Sequence, residues 1–156
     1  MSDIKRILFV CLGNICRSPA AEAIMKAKVH QLGLDHLFII DSAGTYGGHA
    51  GELPDYRMRQ HAGGRGYEMT SRSRKFYADS DFEEFDMIIA MDASNFSDLK
   101  SMAKNEEEEK KIYKMTDFCR LHSNYSSVPD PYYGGDAGFE LVLDLLEDAI
   151  DGLLKA

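Results

Sequence analysis

Cys11 and Arg17 bracket a segment that turns the chain from one kind of element into another. Residues 4–10 end in Ile7-Leu8-Phe9-Val10, an unbroken apolar run of the kind that forms a strand buried on both faces. Ser18-Pro19 follows directly after Arg17, and a capping hydroxyl with proline at the first helical position predicts a helix start. The residues between form a short strand-to-helix loop. Its backbone N–H groups converge with the unpaired donors of the helix N-terminus, so its centre favours an anion before any side chain is considered. Gly13 and Asn14 suit the curvature: glycine tolerates positive φ and close backbone approach, and asparagine is the next most tolerant residue. The same donors favour the thiolate form of Cys11, while the planar fork of Arg17 can hold two oxygens of a tetrahedral oxyanion. A thiolate in such a cradle is a nucleophile.

Beyond this loop the apolar pattern alternates between strand and helix. Residues 18–32 carry Ala20, Ala23, Ile24 and Ala27, with Gly33 as a stop. Residues 37–41 read as a second strand, and Leu53-Pro54-Asp55 opens a helix that ends in the glycine-rich stretch 62–66. Residues 85–91 form a third strand, after which Asp92 begins another helix, and residues 111–115 give a shorter fourth strand. Leu141, Leu145, Ala149 and Leu153 lie at helical spacing within a terminal helix over 139–154. This alternation predicts an α/β fold: a single domain over residues 1–156, with a four-stranded parallel sheet flanked by helices on both faces and the anion-binding loop after strand 1. Ligands of such sheets bind outside the carboxyl ends of the strands, where Cys11 is delivered. Residues 116–138 are a long, weakly patterned connection of the kind that often carries function. The Glu106–Glu109 run reads as a solvated loop or helix end.

The chain is long enough, at 156 residues with 44% hydrophobic content, to bury a core without disulfides or a structural metal. A net charge of −8 argues against nucleic acid or an anionic membrane as its partner. Arg57, Arg59, Arg65, Arg72, Arg74 and Lys75 nevertheless form a basic stretch. It reads first as solvated surface, with an anion-binding groove as the alternative. Three cysteines, Cys11, Cys16 and Cys119, form an odd set unlike a disulfide framework, which points to reduced thiols. Cys119-x-x-His122 has metal-ligand spacing, but no second pair completes a tetrahedral site, so neither metal nor other cofactor is expected. The N-terminal residues lead into the first strand without an apolar signal region, which gives a cytoplasmic expectation.

The string from Val10 to Pro19 resembles the active-site loop of the low-molecular-weight protein tyrosine phosphatases. The likeness continues through Asp41-Ser42-Ala43-Gly44-Thr45, Met91-Asp92 and Asp130-Pro131-Tyr132-Tyr133. It implies hydrolysis of phosphotyrosine, in proteins or in small aryl phosphate monoesters, through a phosphocysteine on Cys11, with inorganic phosphate as product. By the same resemblance Leu12, Gly13, Asn14, Ile15, Cys16 and Ser18 form the phosphate-binding loop with Arg17. Ser18 stabilises the Cys11 sulfur, and Ser42 bonds Asn14. Asp130 serves as general acid and then base, Tyr132 and Tyr133 wall the pocket, and Cys16 protects Cys11 against oxidation through a disulfide. From the residues alone, Asp130 fits a turn as well as an acid; Asp136 is a competitor for the acid role, though a turn or helix-capping role suits it better. Two departures stand out: Ser71 replaces a histidine that supports the loop asparagine, and Gly48 replaces a pocket aromatic, with Tyr46 nearby to wall the pocket together with Tyr132 and Tyr133. Arsenate reduction on this fold needs further redox cysteines near residue 80, which the chain lacks. Isoleucine at position 15 favours the tyrosine ester over phosphoarginine, where threonine is usual. A phosphopeptide-binding module without turnover would be signalled by loss of the nucleophile, arginine or acid, and all three are present.

Overall fold

Four apolar segments pair in parallel in the order β2-β1-β3-β4: β1 (Lys5–Cys11), β2 (Phe38–Gly44), β3 (Met87–Ala90) and β4 (Ile112–Lys114). The computed structural model describes residues 4–131 and 135–155. The central strand β1 is buried on both faces, and alternate residues feed two separate cores. Ile7, Phe9 and Cys11 pack towards α1 (Arg17–Gln31) and α6 (Gly135–Lys155). Leu8 and Val10 join Phe82, from α3 (Ala78–Glu84), and Leu99, from α4 (Ala93–Met102), on the other face. The expected α/β architecture, with helices on both faces, is therefore what the chain adopts. No helix among the described residues is long and apolar enough to cross a membrane.

The strand order puts the chemistry at one place. The chain leaves β1 for β2 on one side and returns to β3 on the other, so the carboxyl ends of β1 and β3 flank the topological switch point of the sheet. Helix α2 (Tyr56–Gly64) starts as expected, with the Asp55 carboxylate accepting from the N–H groups of Arg57 and Met58. Asp92 caps α4 in the same way through Asn95 N–H. Several boundaries differ from the sequence reading. Helix α1 begins at Arg17, with Cys16 at the N-cap, so Ser18 and Pro19 fall inside the first turn. Pro19 costs no hydrogen bond there, because the first intrahelical donor is Ala20 N–H, to Cys16 C=O. Helix α3 and the short α5 (Glu106–Glu109) were not anticipated as elements, and α6 starts at Gly135.

The connection after β4 is shaped by one carboxylate. Asp148, on α6, accepts from the N–H groups of Arg120, Leu121 and His122 at 2.8 to 3.1 Å, binding a turn that carries no regular structure of its own. Burial works to raise this carboxyl, but the converging N–H donors outweigh it and hold it below its ordinary value. A carboxyl depressed in the folded state contributes stability in full above its unfolded value, near 4, and loses it as pH falls through the lower folded value. Asp148→Ala should therefore destabilise the protein by about 1–3 kcal/mol at neutral pH. In denaturant titrations the gap between variant and parent should narrow as pH falls below about 4; a gap independent of pH would show that the charge is not what holds the turn.

Candidate active site

The loop between β1 and α1 closes around Cys11 through a directional chain of hydrogen bonds. Arg74 N–H donates to Asn14 Oδ1 at 3.0 Å, which fixes the orientation of the amide. Asn14 Nδ2 then donates to Ser18 Oγ at 2.8 Å. The same hydroxyl contacts the Cys11 sulfur at 2.9 Å and Ala43 C=O at 3.4 Å. Ser18 thus places its side chain between the loop asparagine and the sulfur, while Cys16 holds the N-cap position of α1. Asn14 itself sits at φ 57°, the left-handed conformation expected for it, whereas Gly13 does not use that region. The space above Gly13 is taken by the His49 ring.

The loop also needs a bare backbone beneath it. A β-carbon on Gly44, the last residue of β2, would lie 2.7 Å from Leu12 O and 3.1 Å from Asn14 N. The contact is with backbone, so nothing can rotate away. Ser73 Oγ donates to Gly13 C=O at 2.9 Å, so the segment that departs from the family at Ser71 still props the loop through Ser73 and Arg74. Ser42 is a correction. Its hydroxyl donates to Glu22 Oε1 at 2.6 Å and not to Asn14, because the buried Glu22 carboxylate is the stronger acceptor and Ser18 and Arg74 already serve the asparagine. Lys26 holds the other Glu22 oxygen.

Arg17 is 3% exposed, and its guanidinium is held from two distant parts of the chain. Nη1 donates to Asp92 Oδ2 at 2.7 Å and to Val128 C=O at 3.0 Å, while Nη2 lies 3.7 Å from Asp130 Oδ2. Burial pulls its pKa down, but the Cys11 sulfur, Asp92 and Asp130 outweigh that, raising it above its usual value. Val128 N–H in turn bonds Met91 C=O at 2.7 Å, so the loop carrying Asp130 is pinned to the end of β3 and to Arg17 at once. At Cys16 burial first, then the charges of Asp55 and Cys11, push the thiol above its ordinary value.

These residues line one open pocket of about 320 Å³, formed by Cys11, Leu12, Gly13, Ile15, Cys16 and Arg17 with Tyr46, His49 and Asp130. Asp136 is not part of it; it pairs with His61 on the first turn of α6. Tyr132 and Tyr133 lie outside the described residues. Within the basic stretch Arg65 is bound by Glu140, Asp144 and Glu147, and Arg74 by Asp41 and Asp81. Sequence reasoning missed His49, Glu22, Ser73, Arg74 and the second task of Asp92. Only Asp92 carried a local signal, its N-cap pattern, and that gave no hint of Arg17.

A parallel α/β sheet with a Cys-x5-Arg oxyanion cradle at its switch point defines a cysteine-dependent phosphatase class. The sequence profile of low molecular weight phosphotyrosine protein phosphatases matches residues 6–156. A Streptomyces coelicolor low molecular weight protein-tyrosine-phosphatase is 41% identical over 152 residues, covering 97% of this chain and 92% of the relative. The crystal structure of a protein tyrosine phosphatase from Entamoeba histolytica, with Hepes in the active site, superposes with a TM-score of 0.93 at 48% identity, covering 97% and 95% of the two chains. A Drosophila arginine phosphatase structure follows at 0.88 and 32%, covering 96% and 95%. The chain belongs to the low molecular weight phosphotyrosine protein phosphatase family.

Gly44→Ala should abolish inorganic phosphate binding and turnover while the protein remains folded, since the added carbon meets loop backbone and not core. Phosphorus NMR titration with a parallel thermal melt checks this; retained phosphate affinity would show that the loop can reshape.

Proposed function

We propose that this chain hydrolyses phosphotyrosine and related aryl phosphate monoesters by way of a phosphocysteine on Cys11. The observation that carries the reading is the meeting of Cys11, Arg17 and Asp130 in one pocket. The Cys11 thiolate attacks phosphorus from the floor, and the N–H groups of the loop with Arg17 hold the equatorial oxygens, where charge is spread in the transition state. Asp130, 48% exposed on its side chain, stands at the mouth. There it gives its proton to the departing phenolate oxygen. Once the alcohol has left, the carboxylate takes a proton from the water that attacks the phosphocysteine, releasing inorganic phosphate. Ser18, 2.9 Å from the sulfur, supports it as it becomes the leaving group.

A leaving-group series tests this assignment. Asp130→Asn should lower kcat about 10²–10⁴-fold for a phenolic leaving group and far less for one already stable as an anion. Cys11→Ser should be inactive on both yet still bind phosphate. Equal losses on the two esters from Asp130→Asn would make Asp130 a structural residue, and an active Cys11→Ser would end the phosphocysteine reading. Running phosphoarginine in the same series separates this chain from the chemistry named for its Drosophila neighbour.

The redox role proposed for Cys16 is supported by its place in the same pocket lining. Peroxide would convert Cys11 to a sulfenic acid, and attack by the Cys16 thiol would close a disulfide with loss of water. After brief peroxide exposure, thiol reductant should restore activity in the parent and much less in Cys16→Ser. Equal recovery, or a bridge to Cys119 on peptide mapping, would refute it.

A further inference from the structure

His61 lies outside the pocket, yet it grips the helix into which the Asp130 segment runs. Its ring faces two carboxylates of α6: Nδ1 is 2.5 Å from Glu140 Oε2, and Nε2 is 3.2 Å from Asp136 Oδ1. An ionised carboxylate only accepts, so both contacts are hydrogen bonds only when both ring nitrogens carry hydrogen. The surroundings favour that charged ring. Glu140 is held below its ordinary value by Arg65 first and then by His61, so it is ionised. The ring also stacks on Phe139, with centroids 5.4 Å apart and planes at 5°, an arrangement that suits a cation. Two other cations face this contact. Arg57, paired with Asp55, lies 4.9 Å from the Phe139 ring centre, and Arg65, also bound by Asp144 and Glu147, shares Glu140. Even so, the bond to Glu140 outweighs burial and raises the imidazole above its ordinary value.

This clamp joins the two halves of the site. Helix α2 is seated on the phosphate loop, because Asp55 N–H bonds Ile15 C=O at 2.7 Å and the Asp55 carboxylate caps the helix. On the other side, Gly138 in the first turn of α6 lies against Pro131, the neighbour of Asp130: a β-carbon on it would stand 3.9 Å from Pro131 Cβ. Upstream of Asp130, Val128 ties the segment to Met91 and Arg17. Downstream, the segment leads into the turn that His61 holds through Asp136. We infer that His61, as an imidazolium, is a positioning residue for Asp130: it ties the helix seated on the phosphate loop to the start of α6 and so fixes the downstream end of the segment that carries the acid. The inference rests on the proposed role of Asp130 and adds what keeps that carboxyl at the pocket. Because the folded value of His61 is raised, the clamp is fully closed below the ordinary value, near 6.5, and opens as pH rises through the higher one.

Steady-state kinetics on a phenolic phosphate ester, and on one whose leaving group is stable as an anion, test this. A misplacement of ~1 Å costs about a hundredfold. Loosening one of two anchors should cost His61→Gln about threefold to tenfold in kcat on the phenolic ester below about pH 6.5, with little change on the other ester and with inorganic phosphate affinity unchanged. The parent's advantage should shrink towards none as pH rises through the His61 titration, followed by proton NMR of the ring. In an Asp130→Asn background, His61→Gln should cost nothing further. If His61→Gln melts early, Asp136→Ala, whose side chain is 96% exposed, gives the same readout. Equal losses on both esters, a gap that does not change with pH, or a further loss on top of Asp130→Asn would overturn the inference, since each marks a general weakening of the fold. If Asp130→Asn shows the leaving-group dependence and His61→Gln matches the parent, this inference alone fails; equal losses from Asp130→Asn itself end the catalytic reading and this inference with it.

Discussion

The buried guanidinium of Arg17 is the charge around which the site is organised. An arginine with 3% exposure is costly unless its donors are met. Asp92 at the end of β3 and Val128 C=O in the late connection meet them. Both partners lie far along the chain, so satisfying Arg17 draws β1, β3 and the segment that carries Asp130 to one point. The nucleophile and the proposed acid are thereby placed in one pocket by a structural requirement of the arginine that lies between them. Asp92 serves two ends at once, because one oxygen caps α4 and the other binds Arg17.

A second constraint is the polarity of the hydrogen-bond chain from Arg74 through Asn14 to Ser18. Each donor in it occupies the acceptor of the next group, and the chain ends on a serine hydroxyl 2.9 Å from the Cys11 sulfur. The loop is held by the Arg74 amide and the Ser73 hydroxyl. Neither group titrates in the physiological range, so this support does not change with pH there. Two buried cysteines five residues apart have different neighbours: Cys11 lies beside the Ser18 hydroxyl and in the field of the Arg17 guanidinium, whereas Cys16 faces the carboxylate charge of Asp55.

Much of this was legible in the amino-acid order. The apolar run before Cys11 could only be a strand buried on both faces, and the alternation that follows required a parallel sheet with helices on both sides. Asn14 takes the positive φ its residue type permits, and Asp55 and Asp92 cap their helices as their positions imply. These features depend on near neighbours or on periodicity, which a sequence displays directly. Of the two roles read for Ser18, the contact with the Cys11 sulfur is present, whereas the N-cap falls to Cys16 because the helix already starts at Arg17.

The remainder belonged to the tertiary structure. Glu22 and Ser42 find each other across the interface of α1 and β2, the missing side chain of Gly44 is explained only by the loop backbone crossing it, and Asp148 holds a turn with no pattern of its own. Asp136 read better as a turn or cap than as an acid, and Asp130 fitted a turn as well as an acid; the hydrogen bonds of Val128 to Met91 and Arg17 set Asp130 at the pocket, while His61 holds Asp136 on α6. The sequence by itself determined which elements form and where a nucleophile with its oxyanion cradle must lie, because those follow from backbone geometry over a few residues. Which carboxylate, which hydroxyl and which ring face that cradle was decided only when distant segments packed, since a hydrogen bond is set by distance in space and not by separation along the chain.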